Sequence, residues 1–171
     1  MIKNAASDDD PKAPLHVGEV MALWTYLAFN QESKMYIQVA LNTTTDEELR
    51  HALHDCLKIN NKHGQRVREL LLSAGVPLPP PSEEKPHSDS TAIPHGVKLT
   101  DYEIANGLAV KATTAVVMLA SSAAETVRND IGMMFVEMQS ESFISAFLLK
   151  NLLRKHGWLK VPPYYVAPGQ P

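Results

Sequence analysis

VPLPPPSEEKPHSDSTAIPHGVK, residues 76–98, is the stretch whose reading decides the fold. It holds six prolines and shows no helical period. Proline lacks a backbone N–H and its ring clashes with the preceding turn, so the stretch reads as a connector. At about 3.3 Å per residue it can reach roughly 70 Å when extended. The periodic segment before it would be only about 44 Å long as a helix. The connector can therefore travel the length of a helical bundle and start the next helix at the opposite end.

Upstream, Thr45 and Glu48 have the spacing of a capping box, and Gly75 followed by Pro77 supplies a stop. Between them Leu49, Leu53, Cys56, Asn60, His63, Val67, Leu70 and Ala74 recur at steps of four and three, the spacing of a bundle seam. A first helix is expected from about Leu15 to Leu41, with Val20, Leu23, Trp24, Leu27, Ile37 and Leu41 on its apolar face. Asn42-Thr43-Thr44 makes a short loop. Downstream, a second box at Thr100 and Glu103 opens a third helix carrying Ile104, Leu108, Ala112, Ala115, Val116 and Leu119. The fourth helix starts either at a third box, Ser122 and Glu125, or near Asn129, and ends at Gly157. Its expected core positions are Ile131, Met134, Phe135, Met138, Phe143, Phe147, Leu148 and Leu152. Two short loops and one long crossover define an all-α, ferritin-like antiparallel four-helix bundle, with the crossover between the second and third helices. The expected organisation is a mobile N-terminal arm over 1–13, one bundle over 14–157, and an extended tail over 158–171 whose aromatics lie back on the bundle.

The 171 residues are enough for one domain with a substantial core. The net charge is −3, so no basic excess calls for nucleic acid or an anionic membrane. One cysteine, Cys56, leaves no internal disulfide. The N-terminal MIKNAASDDDPKAP has no apolar run of the kind a secretory signal needs. These features predict a cytoplasmic protein with neither nucleic acid nor a membrane as partner.

The runs GEVMALW in the first helix, LKINNKH in the second and GWLKVPPYY in the tail resemble a family of uncharacterised ferritin-like proteins from spore-forming bacteria, similar to spore coat protein F. The resemblance covers Leu15 to Tyr165. It implies the ferritin-like fold and a spore-coat setting, with other coat proteins as partners. It implies no established reaction.

A di-iron bundle site needs a Glu from each of two helices and a Glu-x-x-His pair from each of the other two. This sequence falls short of that set. The second helix offers Asn60-x-x-His63, with an amide in place of the acid. The fourth offers Glu137 and Glu141, but Ser140 and Ile144 stand where histidines are required. The third has no carboxylate in its middle. By a level count along antiparallel helices, His63 should face Leu23, near Glu19, with Glu137 closer to it than Glu141. Glu19, His63 and one of these two glutamates could then hold a single divalent metal. The simpler reading makes His63 a buried, hydrogen-bonded core residue, with Asn60 and Glu19 in the same polar layer. Glu48-x-x-His51 and His54 lie off the apolar stripe, and His87 and His95 fall in the connector. Cys56 on the stripe reads as a small buried residue. No nucleophile–base arrangement, phosphate loop or dinucleotide fingerprint is present.

The expectation is a non-catalytic structural or interaction protein that needs no cofactor and forms a homodimer along an exposed apolar strip. The alternative is a bundle that binds a metal or small ligand through a core Glu/His cluster. An interhelical pocket lined by Trp24, Tyr26 and Asn60 would serve a small ligand.

Overall fold

The computed structural model describes residues 13–165 and 167–169. The arm expected over 1–13 therefore lies, except for Ala13, outside the described residues. Four helices carry the chain: α1 (Val17–Thr43), α2 (Glu47–Ser73), α3 (Asp101–Glu125) and α4 (Asn129–Lys155). One short 3₁₀ turn, Ser90–Ala92, lies in the crossover. No strand occurs among the described residues.

The caps set these boundaries. His16 caps α1, its Nδ1 accepting from the Gly18 N–H at 2.9 Å, while Glu19 reaches back to the His16 N–H at 3.1 Å. Thr100 and Glu103 form the expected box on α3. The box expected on α2 does not form. Asp46 takes the cap instead and accepts from the Leu49 N–H at 2.8 Å. An aspartate caps as well as a threonine and adds a full negative charge at the positive end of the helix dipole. That leaves Glu48 to pair with Lys155 and His156 at the end of α4. The Ser122–Glu125 stretch is the last turn of α3, and α4 starts at Asn129. Gly75 and Gly157 both take positive φ, 71° and 69°, just past α2 and α4. Each closes a six-to-one hydrogen bond: Val76 to Leu71 at 2.9 Å, and Trp158 to Leu153 at 2.7 Å.

Helix directions follow from three contacts. Thr44 Oγ1 donates to Asp101 Oδ1 at 2.5 Å, so α3 starts beside the α1–α2 loop. Glu19 receives the N–H groups of Val127 and Arg128, so the α3–α4 loop lies at the start of α1. His156 meets Glu48, so α4 ends where α2 begins. Two antiparallel hairpins are thus joined by a crossover that returns along the bundle.

That crossover is docked. Reading down it, Pro77 O accepts from Trp24 Nε1 at 3.1 Å, Ser82 bonds Glu32 at 2.6 Å, and Glu84 pairs with Lys34. Then the Lys85 N–H meets Gln38 at 3.2 Å, while Asn42 holds Pro86 O at 2.8 Å and the Ser88 N–H at 3.1 Å. Side chains along one face of α1 give the proline-rich segment the polar partners it cannot supply to itself.

The core divides into two apolar clusters. One gathers Leu23, Leu27, Val67, Leu71, Leu119, Ile131, Phe135 and Met138 at the end holding the start of α1. The other gathers Ile37, Leu49, Leu53, Ile104, Leu108, Leu149 and Leu153 at the opposite end. Two expected stripes shift. In α2, Leu71 is buried and Ala74 is exposed at the cap. In α4, the core face continues from Met138 through Ser142 to Leu149 and Leu153, which turns Phe143, Phe147 and Leu148 outward and leaves Leu152 only partly buried. A four-residue step from Met138 lands on Ser142, and helix geometry outweighs the hydrophobicity of its neighbour. In the tail, Trp158 stacks on His156 at 4.2 Å and Leu159 packs on the second cluster, while Tyr164 and Tyr165 are exposed.

Asn42→Ala removes two hydrogen bonds that anchor the crossover to α1. We expect a loss of about 1 kcal/mol in urea unfolding, and faster proteolytic nicking between residues 82 and 88 at unchanged helicity. Unchanged nicking rates would show that the anchor is idle.

Candidate functional site

A layer of polar side chains separates the two apolar clusters. Asn30 and Asn60 face each other across α1 and α2. Each side-chain amide donates to the other's backbone carbonyl at 3.0 Å. A helical carbonyl already accepts one bond from its own helix; its second lone pair takes this one. Such an exchange needs the two backbones close together, and Gly64 allows it. A Cβ there would sit 2.4 Å from Asn30 Oδ1. Glycine in mid-helix costs about 1 kcal/mol relative to alanine, and here the close approach requires it. Gly107 plays the same part between α3 and α1, where a Cβ would meet Tyr36 Oη at 2.1 Å.

Beside the amide pair, His63 is buried to 2% exposure. Its Nδ1 lies 3.1 Å from Tyr26 Oη and its Nε2 lies 3.0 Å from Glu141 Oε2. Lys62 pairs with the other oxygen of Glu141. The Lys62 hydrogen bond holds the Glu141 carboxyl below its usual range against the opposing effect of burial, with His63 helping. An ionised carboxylate only accepts, so Nε2–H of His63 donates to Glu141. Nδ1 is then the lone-pair nitrogen, and Tyr26 donates its O–H to it. Burial pushes the Tyr26 phenol far up, so it keeps that proton. Burial also lowers the His63 pKa, more than its bond to Glu141 raises it. The imidazole is neutral at neutral pH, with both nitrogens engaged. Cys56, 3.5 Å from Ser145 Oγ, is pushed up by burial and stays a thiol.

Of the residues expected as a metal set, only His63 and Glu141 are brought together. Glu19 is buried at the end of the bundle. Its Oε1 accepts from Val127 N at 3.0 Å and Arg128 N at 2.8 Å. Burial raises its pKa, but these bonds and the one from His16 outweigh that and hold the group low. The α4 N-terminus has no side-chain cap of its own, and the Glu19 carboxylate serves it from α1. Glu137 lies at the surface, 2.7 Å from Arg66. Glu141, not Glu137, reaches His63, because His63 faces Tyr26 about one turn beyond Leu23 and α4 slides by the same turn. Among the described residues no three His, Cys, Asp or Glu side chains converge as metal ligands would. The pair that does form offers one imidazole nitrogen and one carboxylate already held by Lys62.

An interhelical cavity of about 70 Å³ lies in the polar layer. Tyr26 and Asn60 line it, as expected. Trp24 does not; it is half-exposed and holds the crossover. Asn30, Ser33, Lys111 and Ser142, which the sequence reading passed over, also line it. The signal was a gap: no core residue was assigned between Leu27 and Ile37, and the face there carries Asn30 and Ser33.

The fold and this layer define a class: two-hairpin helical bundles with a polar centre. The chain belongs to the DUF3231 family, a family of proteins of unknown function, whose model matches residues 4–170. It is 29% identical over 153 residues to the uncharacterized protein YvdQ of Bacillus subtilis (strain 168), covering 90% of each chain. It is also similar, at 28% identity and a TM-score of 0.87, to the crystal structure of a "putative spore coat protein" from Bacillus halodurans C-125, covering 90% of this chain and 97% of that one.

Gly64→Ala should destabilise the fold by about 1–3 kcal/mol, although alanine favours helix. Denaturant unfolding measures it; a gain in stability would mean Asn30 yields freely. A second expectation concerns pH. In the unfolded chain His63 binds a proton near pH 6.5, and in the folded chain it resists protonation to lower pH. Stability present above that range therefore falls as pH drops from about 6.5 toward the folded pKa. In His63→Gln this limb of the stability–pH curve should flatten; an unchanged slope would locate the effect elsewhere.

Proposed function

We propose that this chain is a structural protein of the spore coat kind that works by self-association, not by catalysis. The observation that carries the reading is the outer face of the α3–α4 hairpin. Phe143 and Phe147 stand there half-exposed, packed edge to face at 4.8 Å. They flank a groove of about 220 Å³ lined by small residues including Ala109, Ala112, Thr113 and Ala146. The same helices expose Val110, Val117, Ile144 and Leu148. By length and composition α3 is apolar enough to cross a membrane, and only 22% of its most apolar window is buried in the bundle. A run of exposed apolar side chains on two packed helices marks an interface.

The occupant we assign is a second copy of the chain. Ridge and groove lie in one patch, so a two-fold axis lets the phenylalanines of each copy enter the groove of the other. The helices keep this patch rigid, which suits a building block. The spore-coat setting draws on the description of the Bacillus halodurans relative. The non-catalytic reading draws on the protonated Tyr26 and Cys56 and the fully engaged His63, none of which is an activated nucleophile or free base.

Sedimentation should report a dimer, and Phe147→Asp should weaken it at least about tenfold with the helical circular dichroism unchanged. A monomeric wild-type protein at tens of micromolar would overturn the self-association. Expressed as a tagged chain in a sporulating Bacillus subtilis host, the protein should fractionate with the extracted coat. Recovery only in soluble mother-cell extract would overturn the coat assignment.

A further inference from the structure

We infer that Tyr26 is a redox-active tyrosine: it gives one electron to an oxidant at the surface while its phenolic proton passes to His63, and so holds a neutral radical inside the bundle. The directions of the hydrogen bonds carry the inference. Tyr26 Oη donates to His63 Nδ1 at 3.1 Å, and His63 Nε2 donates to the Glu141 carboxylate at 3.0 Å. The phenol points its proton at a lone pair, within the reach a proton acceptor needs, and the imidazole points its own at an anion. Burial makes the intact phenol hold its proton. A phenol that has lost an electron is a strong acid and must shed it. Tyr36 is the comparison within this chain. Its hydroxyl donates to Ile104 O at 3.0 Å, and that carbonyl satisfies the bond without being able to take the proton.

The step balances within three side chains and the oxidant. One electron leaves Tyr26. The phenolic proton goes to Nδ1 along the existing bond, and the Nε2 proton shifts toward Glu141, so the positive charge arriving on the imidazole faces a carboxylate. Lys62 and Arg66 on α2 oppose that charge, and Lys111 on α3 lines the same cavity as Tyr26; Glu141 offsets them. The electron leaves along α1. Trp24 is 36% exposed and stands two residues before Tyr26, about 3 Å away along the helix axis. An oxidant of the organic peroxyl-radical class takes an electron from the indole and becomes a peroxide anion, and Tyr26 then refills the indole. Tyr26 itself is 2% exposed, so its radical is kept from meeting a second one. It thereby traps oxidising equivalents that would otherwise reach the thioethers of Met134 and Met138 in the same cluster. The site is separate from the α3–α4 face and stands whether or not the chain dimerises.

The probe is flash-generated ruthenium(III) tris(bipyridine), a one-electron oxidant, applied to the full chain. Transient absorption and electron paramagnetic resonance should show a neutral tyrosyl radical that outlives those of the exposed Tyr164 and Tyr165 by at least about tenfold. Tyr26→Phe should abolish this long-lived signal and leave the short-lived ones. His63→Gln still accepts a hydrogen bond but cannot take the proton, and should slow formation of the radical by at least about tenfold. From about pH 6.5 upward, where His63 is neutral, the wild-type rate should not vary with pH, because the proton stays inside the protein. The wild-type and Tyr26→Phe comparison and the pH series stand even if His63→Gln fails to fold. The inference is overturned if wild-type protein gives only short-lived radicals or if the long-lived signal survives in Tyr26→Phe. It is equally overturned if folded His63→Gln forms the radical as fast as wild type, or if the wild-type rate climbs steadily with pH, which would send the proton to solvent.

Discussion

The amide exchange between Asn30 and Asn60 fixes how close α1 and α2 must lie, and much of the structure follows from that distance. Each side chain donates to a carbonyl that its own helix already uses, so neither bond survives a shift of the helices by even one residue. A slip that kept Leu on Leu would leave both amides buried and unpaired, at a cost of roughly 1–3 kcal/mol for each. Apolar contacts alone tolerate such slips. Gly64 is the concession that makes the approach possible, and it sits one residue past His63, the next polar member of the layer. The polar centre thus supplies register, while the clusters on either side supply burial.

The same logic runs outward from the layer. Tyr26, His63, Glu141 and Lys62 form one chain of donors and acceptors from the buried phenol to an exposed ammonium. Each of the three links joins two different helices. Charge therefore leaves the core through Glu141, the half-exposed end, and the buried members stay neutral. At the bundle end Glu19 does a comparable job with a full charge. It closes the cap of α1 and supplies the missing cap of α4, two helices whose N-termini meet at the same end. A carboxylate that looked like a metal ligand in the sequence is a joint between helix ends.

What was legible in the sequence was local. Capping at Thr100, the glycine stops at 75 and 157, and the proline run of the crossover depend on backbone chemistry within a few residues, and the structure has them where expected. What was not legible depended on neighbours distant in sequence. Asp46 displaced Thr45 as a cap because Glu48 had a partner on α4. The height of His63 was misjudged by about one turn, since α1 runs on to Thr43 and the α1–α2 loop centres on Thr45 and not on Thr43, and that one turn exchanged Leu23 for Tyr26 and Glu137 for Glu141. The crossover was recognised as long, but its ladder of contacts to Glu32, Lys34, Gln38 and Asn42 has no periodic signature to read. Asn30 and Ser33 were hidden for a related reason. They occupy core positions, and a search for apolar residues steps over them.

The register of α4 ties the core to the outer face. From Met138 the inward positions fall on Ser142, Leu149 and Leu153, and the outward ones on Phe143, Ile144, Phe147 and Leu148. Rotating the second half of α4 by about 100° would bury the phenylalanines but turn Leu149 and Leu153 outward with the serine, so hydrophobic burial, at about 1.5–3 kcal/mol for each large side chain, does not choose between the two faces by itself. Two constraints oppose the rotation. Met138 and Phe135 already hold the first half in the first apolar cluster, and Glu141 must reach His63 from the position next to Ser142. Rotation would carry Glu141 away and leave a buried imidazole nitrogen without its acceptor. The polar layer thus fixes which face of α4 turns outward. Phe143, Ile144, Phe147 and Leu148 face outward as a consequence of that core register, and the self-association proposed above rests on them.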